Sequence, residues 1–438
     1  MPDTPRHSPR FFGAVVKKFI LLQLLFLGLF AYIFGSLFQQ DVHTHNLKVA
    51  FVDHDGGAIG AAVRQAYSSL QGDNFPTLVE KPASDFPLAE DLKSAVCRID
   101  YWAALHIQPG ASSRLHDVLL DTRGAYNRHD ALAFIWNEAR YSTVVGPAIV
   151  SNIAALSAAA RIAYSTANGT GQVQSLISNS HADIALSALA NPWELASVNI
   201  QPTKQGSRAI YNTIAIILVI IQDFFFLSIM NGLHQSFHVY SEIHPVRIVA
   251  FRNLFSLSYC LVGSLCVTAS IWAFRSGWAV DGTQFALTWA TLWLFGHINF
   301  QTFDVFTIWL PHPYVLLSLI SWIIVNVTST ILPFELSPAV YRVGYVLPAH
   351  ETYQVLIDVW SSVCNPQLHH ALPVLFAWEV VMSVLSAVGV CRRIRGAARA
   401  EREEQTSFDE RLDAAMAERQ KHEPLKNDEG DRGGLGSV

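Results

Sequence analysis

One apolar run, Phe19 to Phe38, stands alone near the N-terminus, residues 39–208 are mostly polar, and five further apolar runs then crowd together ahead of a charged tail. A run of about 20 such residues crosses the hydrocarbon core of a bilayer as a helix, because only there can every backbone polar group be bonded within its own segment. The later runs are Ile210–Met230, Leu254–Phe274, Gln284–Phe303, Pro313–Leu332 and Leu372–Cys391. This layout predicts an α-helical polytopic membrane protein of about six transmembrane helices, one plus five, with an α/β domain inserted after the first. An apolar content of 51% with 15% charged residues over 438 positions fits that class and not a soluble chain. A net charge of -5 with no basic, aromatic-lined stripe excludes nucleic acid as a partner and leaves membrane lipids as the immediate one.

Arg6, Arg10, Lys17 and Lys18 precede the first run, and Arg392, Arg393, Arg395 and Arg399 follow the last, so both termini are expected in the cytosol. Phe34-Gly35-Ser36-Leu37-Phe38 offers no small-x-small cleavage site, so the first run reads as a retained anchor. The expected organisation is a cytosolic tail (1–18), an anchor (19–38), an extracytoplasmic α/β domain with a helical stalk (39–208), a five-helix bundle (209–391) including an outer loop (333–371), and a charged cytosolic tail (392–438).

Within 39–208, Leu47–Val52 reads as a strand, Asp53–Gly57 as a turn, Ala58–Leu70 as a helix and Tyr101–Ile107 as another strand. Asp130–Tyr164 is Ala-rich and reads as a helical stalk, broken near Gly146-Pro147. Asn168-Gly169-Thr170 is a glycosylation sequon on the extracytoplasmic side, whereas Asn326-Val327-Thr328 falls inside a span. The outer loop, with Tyr341, Tyr345, Tyr353 and Trp360, reads as an interfacial segment along the outer leaflet. Ala397–Lys421 reads as a solvated charged helix with a thin stripe of Phe408, Leu412 and Met416, and Asn427–Val438 as disordered.

The five cysteines form no metal motif. Cys97 and Cys364 share the extracytoplasmic side, so a disulfide between them is open to the chain, as are two free thiols. Cys260 and Cys266 read as apolar packing, and Cys391 beside Arg392-Arg393 as a palmitoylation candidate. His234-x-x-x-His238 with His244 resembles one box of a membrane di-iron site, but His369-His370 falls across the membrane from it. Asp53-His54-Asp55 reads as a turn ahead of a cation site. No GxxxxGK[ST], HExxH or GxSxG occurs, so neither an ATP motor nor a familiar hydrolase is encoded, and no cofactor is called for. The chain is expected not to be an enzyme.

Three ionisable residues lie within predicted spans: Asp223, His297 and Glu379. A charge there costs roughly 2.5 to 3.5 kcal/mol on insertion scales unless it is paired, protonated or facing water. They make either a polar pathway for solute or protons, or neutral interhelical hydrogen bonds.

The runs Ala50–Gly57, Tyr101–Leu105, Trp136–Arg140, Leu332–Pro338 and Tyr341–Pro348 resemble the fungal nitrosoguanidine-resistance family of membrane proteins, over about residues 15–392. That family is similar in layout to the membrane part of type-2 ABC exporters and to phage-infection-protein-like permeases. The resemblance implies export of, or resistance to, toxic small molecules, residence in the plasma membrane with endomembranes as the alternative, and no catalytic residues. A permease of this kind has a small-molecule substrate and either forms a homo-oligomer or depends on a separate energy-coupling partner. The rival reading is a non-transporting scaffold or trafficking factor that sets lipid or transporter distribution.

Overall fold

The computed structural model describes residues 8–120, 126–176, 182–202, 210–237, 239, 244–275 and 278–422. Arg6, the end of the predicted extracytoplasmic domain at 203–209, His238 and the predicted disordered segment Asn427–Val438 lie outside the described residues.

Helix α1 (Ser8–Ser36) leads into β1 (Lys48–Asp53), whose alternate side chains are buried on both faces of a sheet. The turn that follows is closed by Asp53, whose Oδ1 accepts from the amides of Asp55 (3.1 Å) and Gly56 (2.8 Å) while Oδ2 pairs with Arg64 at 2.9 Å. Gly56 has φ +62°, a conformation in which a Cβ is strained. With its carboxylate so engaged, Asp53 closes a turn, and the His54 ring is likewise held by the carbonyl of Phe86 at 2.7 Å. In α2 (Ala58–Leu70), Ile59, Ala62, Val63 and Ala66 recur at helical spacing and are buried against the sheet.

β2 (Thr77–Lys81), α3 (Ala89–Cys97), β3 (Ala103–Ile107), α4 (Ala111–Leu119), β4 (Leu132–Trp136), α5 (Ser142–Val145), α6 (Ser151–Leu176), α7 (Ala182–Ala190) and β5 (Leu195–Asn199) complete this unit. The strand order is β2-β1-β3-β4-β5, with all pairs parallel except β3 with β4. Phe51, Leu105, Phe134 and Trp193 pack on the face covered by α2 and α6, and Ala50, Val52, Ala104 and Ile135 meet Leu92 and Val96 of α3 on the other.

Leu132–Trp136, expected inside a helical stalk, is therefore a strand: five buried residues in a row carry no periodicity that separates a core strand from a core helix. A π-turn at Gly146–Val150 joins α5 to α6 at the expected break. The helical stretch Ser142–Ala167 is long and apolar enough to cross a membrane, yet Ile149, Ile153, Leu156, Ala160 and Tyr164 are buried in the core of the sheet unit. Asn168 lies on the backbone of α6, and its side chain is outside the described residues.

The remaining helices are α8 (Ala215–Ser236, after a π-turn at Ile210–Ile214), α9 (Pro245–Ala273), α10 (Gly282–Trp309), α11 (His312–Ile331), α12 (Pro348–Trp360) and α13 (Leu368–His422). Besides Ser142–Ala167, the helices long and apolar enough to span a membrane are Gly13–Ser36, Asn212–Ser236, Pro245–Ala273, Pro313–Ile331 and Leu368–Gly396. Helix α10, which overlaps the predicted span Gln284–Phe303, is not among them. It occupies the middle of the bundle, packed against α8, α9, α11, α12 and α13, and buries Thr288, His297, Asn299, Gln301, Thr302 and Asp304. These polar residues lower its hydropathy, and its neighbours satisfy them.

The outer loop departs from an interfacial segment. After a 3-10 turn at Ala339–Val346, α12 is buried along nearly all its length, with Tyr353 and Trp360 inside protein, so it fills the space between the sheet unit and the bundle. Asn326 of α11 holds its start, accepting from the amide of Ala349 at 3.2 Å. The last span and the charged tail helix are one continuous α13, along whose tail part Phe408, Leu412 and Met416 are exposed.

Candidate functional site

At the centre of the bundle His297 Nδ1 lies 2.6 Å from Glu379 Oε1, joining α10 to α13. The Gln301 amide nitrogen, a donor, lies 3.2 Å from His297 Nε2, and Ser256 Oγ lies 3.1 Å away. On the other side of the ring, Nδ1–H donates to the Glu379 carboxyl. Ser383 donates to the same Oε1 at 3.1 Å, and Gln301 donates to Asn253 at 2.7 Å, so the network spans α9, α10 and α13. Glu379 Oε2 has no hydrogen-bond partner among the described residues.

Asp223 on α8 is fully buried one position away. Its Oδ1 is 3.5 Å from Cys260 Sγ, its Oδ2 has no partner among the described residues, and it approaches α10 at Gly296, where a Cβ would stand 3.1 Å from Oδ2. Adjacent positions of α10 thus face Asp223 on one side and Glu379 on the other. The structure brings His297 and Glu379 together and sets Asp223 at the same level, outside their hydrogen-bonded chain.

Nearer the tail end of the bundle, Arg252 and Asp304 form a buried ion pair, Ser386 donates to Asp304 Oδ2 at 2.5 Å, and Arg252 and Arg393 both donate to Asn231 Oδ1, at 3.1 and 3.2 Å. Both members of the pair lie just beyond the predicted span limits at 254 and 303, so the search for ionisable groups within spans passed over them. Opposite charges within two residues of two neighbouring apolar runs were the available signal. In the histidine box, His234 Nδ1 bonds the Met230 carbonyl at 2.7 Å and His244 caps α9.

A second polar region, the outer cavity, named after the predicted outer loop that lines it, lies between the sheet unit and the ends of the bundle helices next to it. A cavity of about 450 Å³ is bounded by Trp102 and Arg140 from the sheet unit, Phe334 and Glu335 beyond α11, and Tyr345, His350 and Glu351. Residues from four of the five runs that carry the family resemblance meet here, although they are far apart in sequence. Cys97 at the end of α3 is bonded to Cys364 beyond α12, joining the two walls. Of five non-glycine residues with positive φ among the described residues, Ile99 and Tyr141 line the cavity, and Ser362 and Val363 immediately precede Cys364. Such strain persists only where surrounding structure imposes it, and it clusters at binding sites.

The Arg140 guanidinium lies over the Trp102 ring at 3.6 Å, and the Tyr101 carbonyl at 3.5 Å is its one hydrogen-bonding oxygen among the described residues. Burial lowers its pKa, opposed by the charge of Glu335. Burial also pushes the Glu351 carboxyl up to about 7 and His350 down to about 4, the latter offset in part by its bond to the Ser329 carbonyl. Near neutral pH the walls therefore combine the Arg140 guanidinium with a half-titrated Glu351 and a neutral His350, and Glu335 and His370 line the same space.

The family described as protein of unknown function (DUF3533) matches residues 18–384. A Saccharomyces cerevisiae protein described as an uncharacterized endoplasmic reticulum membrane protein is 20% identical over 402 residues, covering 83% of this chain and 77% of that one. No solved structure matches. Because the match runs from Lys18 in α1 to Val384 in α13 and takes in both the His297–Glu379 pair and the outer cavity, the chain belongs to the DUF3533 family of unknown function.

Proposed function

We propose that this membrane protein acts in export of, or resistance to, toxic small molecules, as a permease-like bundle with no ATPase or enzymatic step of its own. The observation that carries the reading is the His297–Glu379 hydrogen bond on the helix at the middle of the bundle, with one carboxyl oxygen there and another on Asp223 that have no partner among the described residues. Purely structural polar contacts between helices satisfy their atoms, because an orphaned carboxylate oxygen in an apolar interior is costly. A pair that shares a proton and keeps one oxygen open suits transient protonation or contact with a passing polar group. The resemblance to nitrosoguanidine-resistance proteins supports the same class, and the sheet unit with its outer cavity is read as the extracytoplasmic part that receives the solute.

The endoplasmic reticulum is the membrane we propose, after the yeast relative; the plasma membrane rests on the resemblance alone. The test is flux of a labelled toxic compound into liposomes carrying the full chain. Glu379→Gln is expected to cut flux by about tenfold or more, the loss that follows removal of a charged hydrogen bond worth ~1.5–3 kcal/mol, with insertion and folding intact. Equal flux in the variant, or a cellular resistance effect absent from liposomes, would replace transport with a scaffold that sets lipid or transporter distribution. The yeast relative's place in an organelle membrane is the observation that keeps this second reading in view.

A further inference from the structure

From the outer cavity we infer a binding site for a phosphate–ammonium zwitterion of the amino-alcohol phosphate class, whose anion meets Arg140 and whose ammonium meets Glu335. The chemistry of the walls selects this class. Arg140 is stacked on Trp102 through its face, which leaves its N–H edges for an acceptor that the described residues do not supply beyond the Tyr101 carbonyl. Phosphate is the group that such a fork binds best. Glu335 and Glu351 have no side-chain hydrogen bond among the described residues, and no ion pair within 4.0 Å joins either to Arg140.

A simple anion entering this space would meet two carboxyls, and a simple cation would meet the guanidinium. A ligand with both charges satisfies both sides, and the Phe334, Tyr345 and His350 rings, packed together at 4.6 to 5.2 Å, line the same space. The volume lies within the roughly 300–1,000 Å³ of small-molecule sites. Pro333, just past α11, and Val374, early in α13, place the cavity beside the ends of two helices long and apolar enough to span a membrane, and the ends of a spanning helix meet the lipid headgroups. The same zwitterion is therefore available from a phospholipid head or from a free solute. This inference does not depend on whether any solute crosses the bundle.

The full chain in nanodiscs of phosphatidylglycerol, which has no ammonium, is titrated calorimetrically with phosphoethanolamine, glycerol phosphate and ethanolamine, and separately with short-chain phosphatidylethanolamine. A zwitterionic probe is expected to bind about tenfold or more tightly than either single-charge probe. Arg140→Gln should lose about tenfold or more of that affinity, and Glu335→Gln should abolish the preference for phosphoethanolamine over glycerol phosphate. Binding of phosphoethanolamine that survives added phosphatidylethanolamine assigns the site to a free solute, and binding that this lipid displaces assigns it to a headgroup. Failure of both zwitterionic probes to exceed their single-charge counterparts on the unmodified protein overturns the inference, whatever the variants do.

Discussion

Glu351 and His350 are neighbours whose burial acts in opposite directions on their protons. Glu351, raised to about 7 from an ordinary value of 4.5, is more readily protonated folded than unfolded, so its contribution is full below 4.5 and is lost as pH rises through 7. His350, lowered to about 4 from 6.5, contributes above 6.5 and loses that contribution as pH falls through 4. His106, brought down to about 4 by burial and by the nearby His54, behaves as His350 does. Between pH 4.5 and 6.5 the glutamate offsets a histidine. Glu351→Gln should therefore lose stability more steeply on acidification than the parent, by a difference of about 3 kcal/mol between pH 7.5 and 4.5. Thermal unfolding midpoints across that range test it, and parallel pH profiles would contradict it. At this scale the sequence exposed Asp223, His297 and Glu379, because a charge inside an apolar run stands out. Arg140, Glu335 and Glu351 did not stand out, since charges in polar segments are ordinary until folding encloses them.

Among elements, the link that matters most for the outer cavity joins the end of α3 to the segment after α12, through Cys97 and Cys364. Their separation of 267 residues closes a long loop in the unfolded chain. Cys97→Ser with Cys364→Ser should lower stability by roughly 2–5 kcal/mol and loosen the cavity wall at Ile99. Unfolding midpoints in detergent check the first part, and digestion near residue 99, faster in the double variant, checks the second; unchanged values in both would show that packing of α12 alone holds the walls. Helix α2 was legible to the residue from its 3.6-residue apolar spacing. β4 was not, because its pairing with β3 and β5, and not local pattern, makes it a strand. Helix α12 was misplaced for the same reason: its aromatics suit a lipid interface and a protein interface equally well, and the sheet unit supplied the latter.

For the whole molecule, cytosolic termini require the sheet unit on the far side of the membrane, where Asn168 can be glycosylated. Asn168→Gln should remove a single glycan step in gel mobility, and sensitivity of that glycan to endoglycosidase H would place the protein before the Golgi. An unglycosylated chain whose N-terminal tag is protected from external protease in sealed microsomes would reverse the orientation. The sequence by itself determined that the chain is a membrane protein, the one-plus-five spacing of its apolar runs and the ionisable groups within them, because insertion into hydrocarbon is governed by local composition and length. Only the tertiary structure decided that Ser142–Ala167 packs in the core of the sheet unit, that the polar helix α10 stands at the centre of the bundle, and that Arg140 and Glu335 face one cavity. Those outcomes depend on which distant segments satisfy each buried polar or apolar face, and that is settled by packing across the chain and not by any run within it.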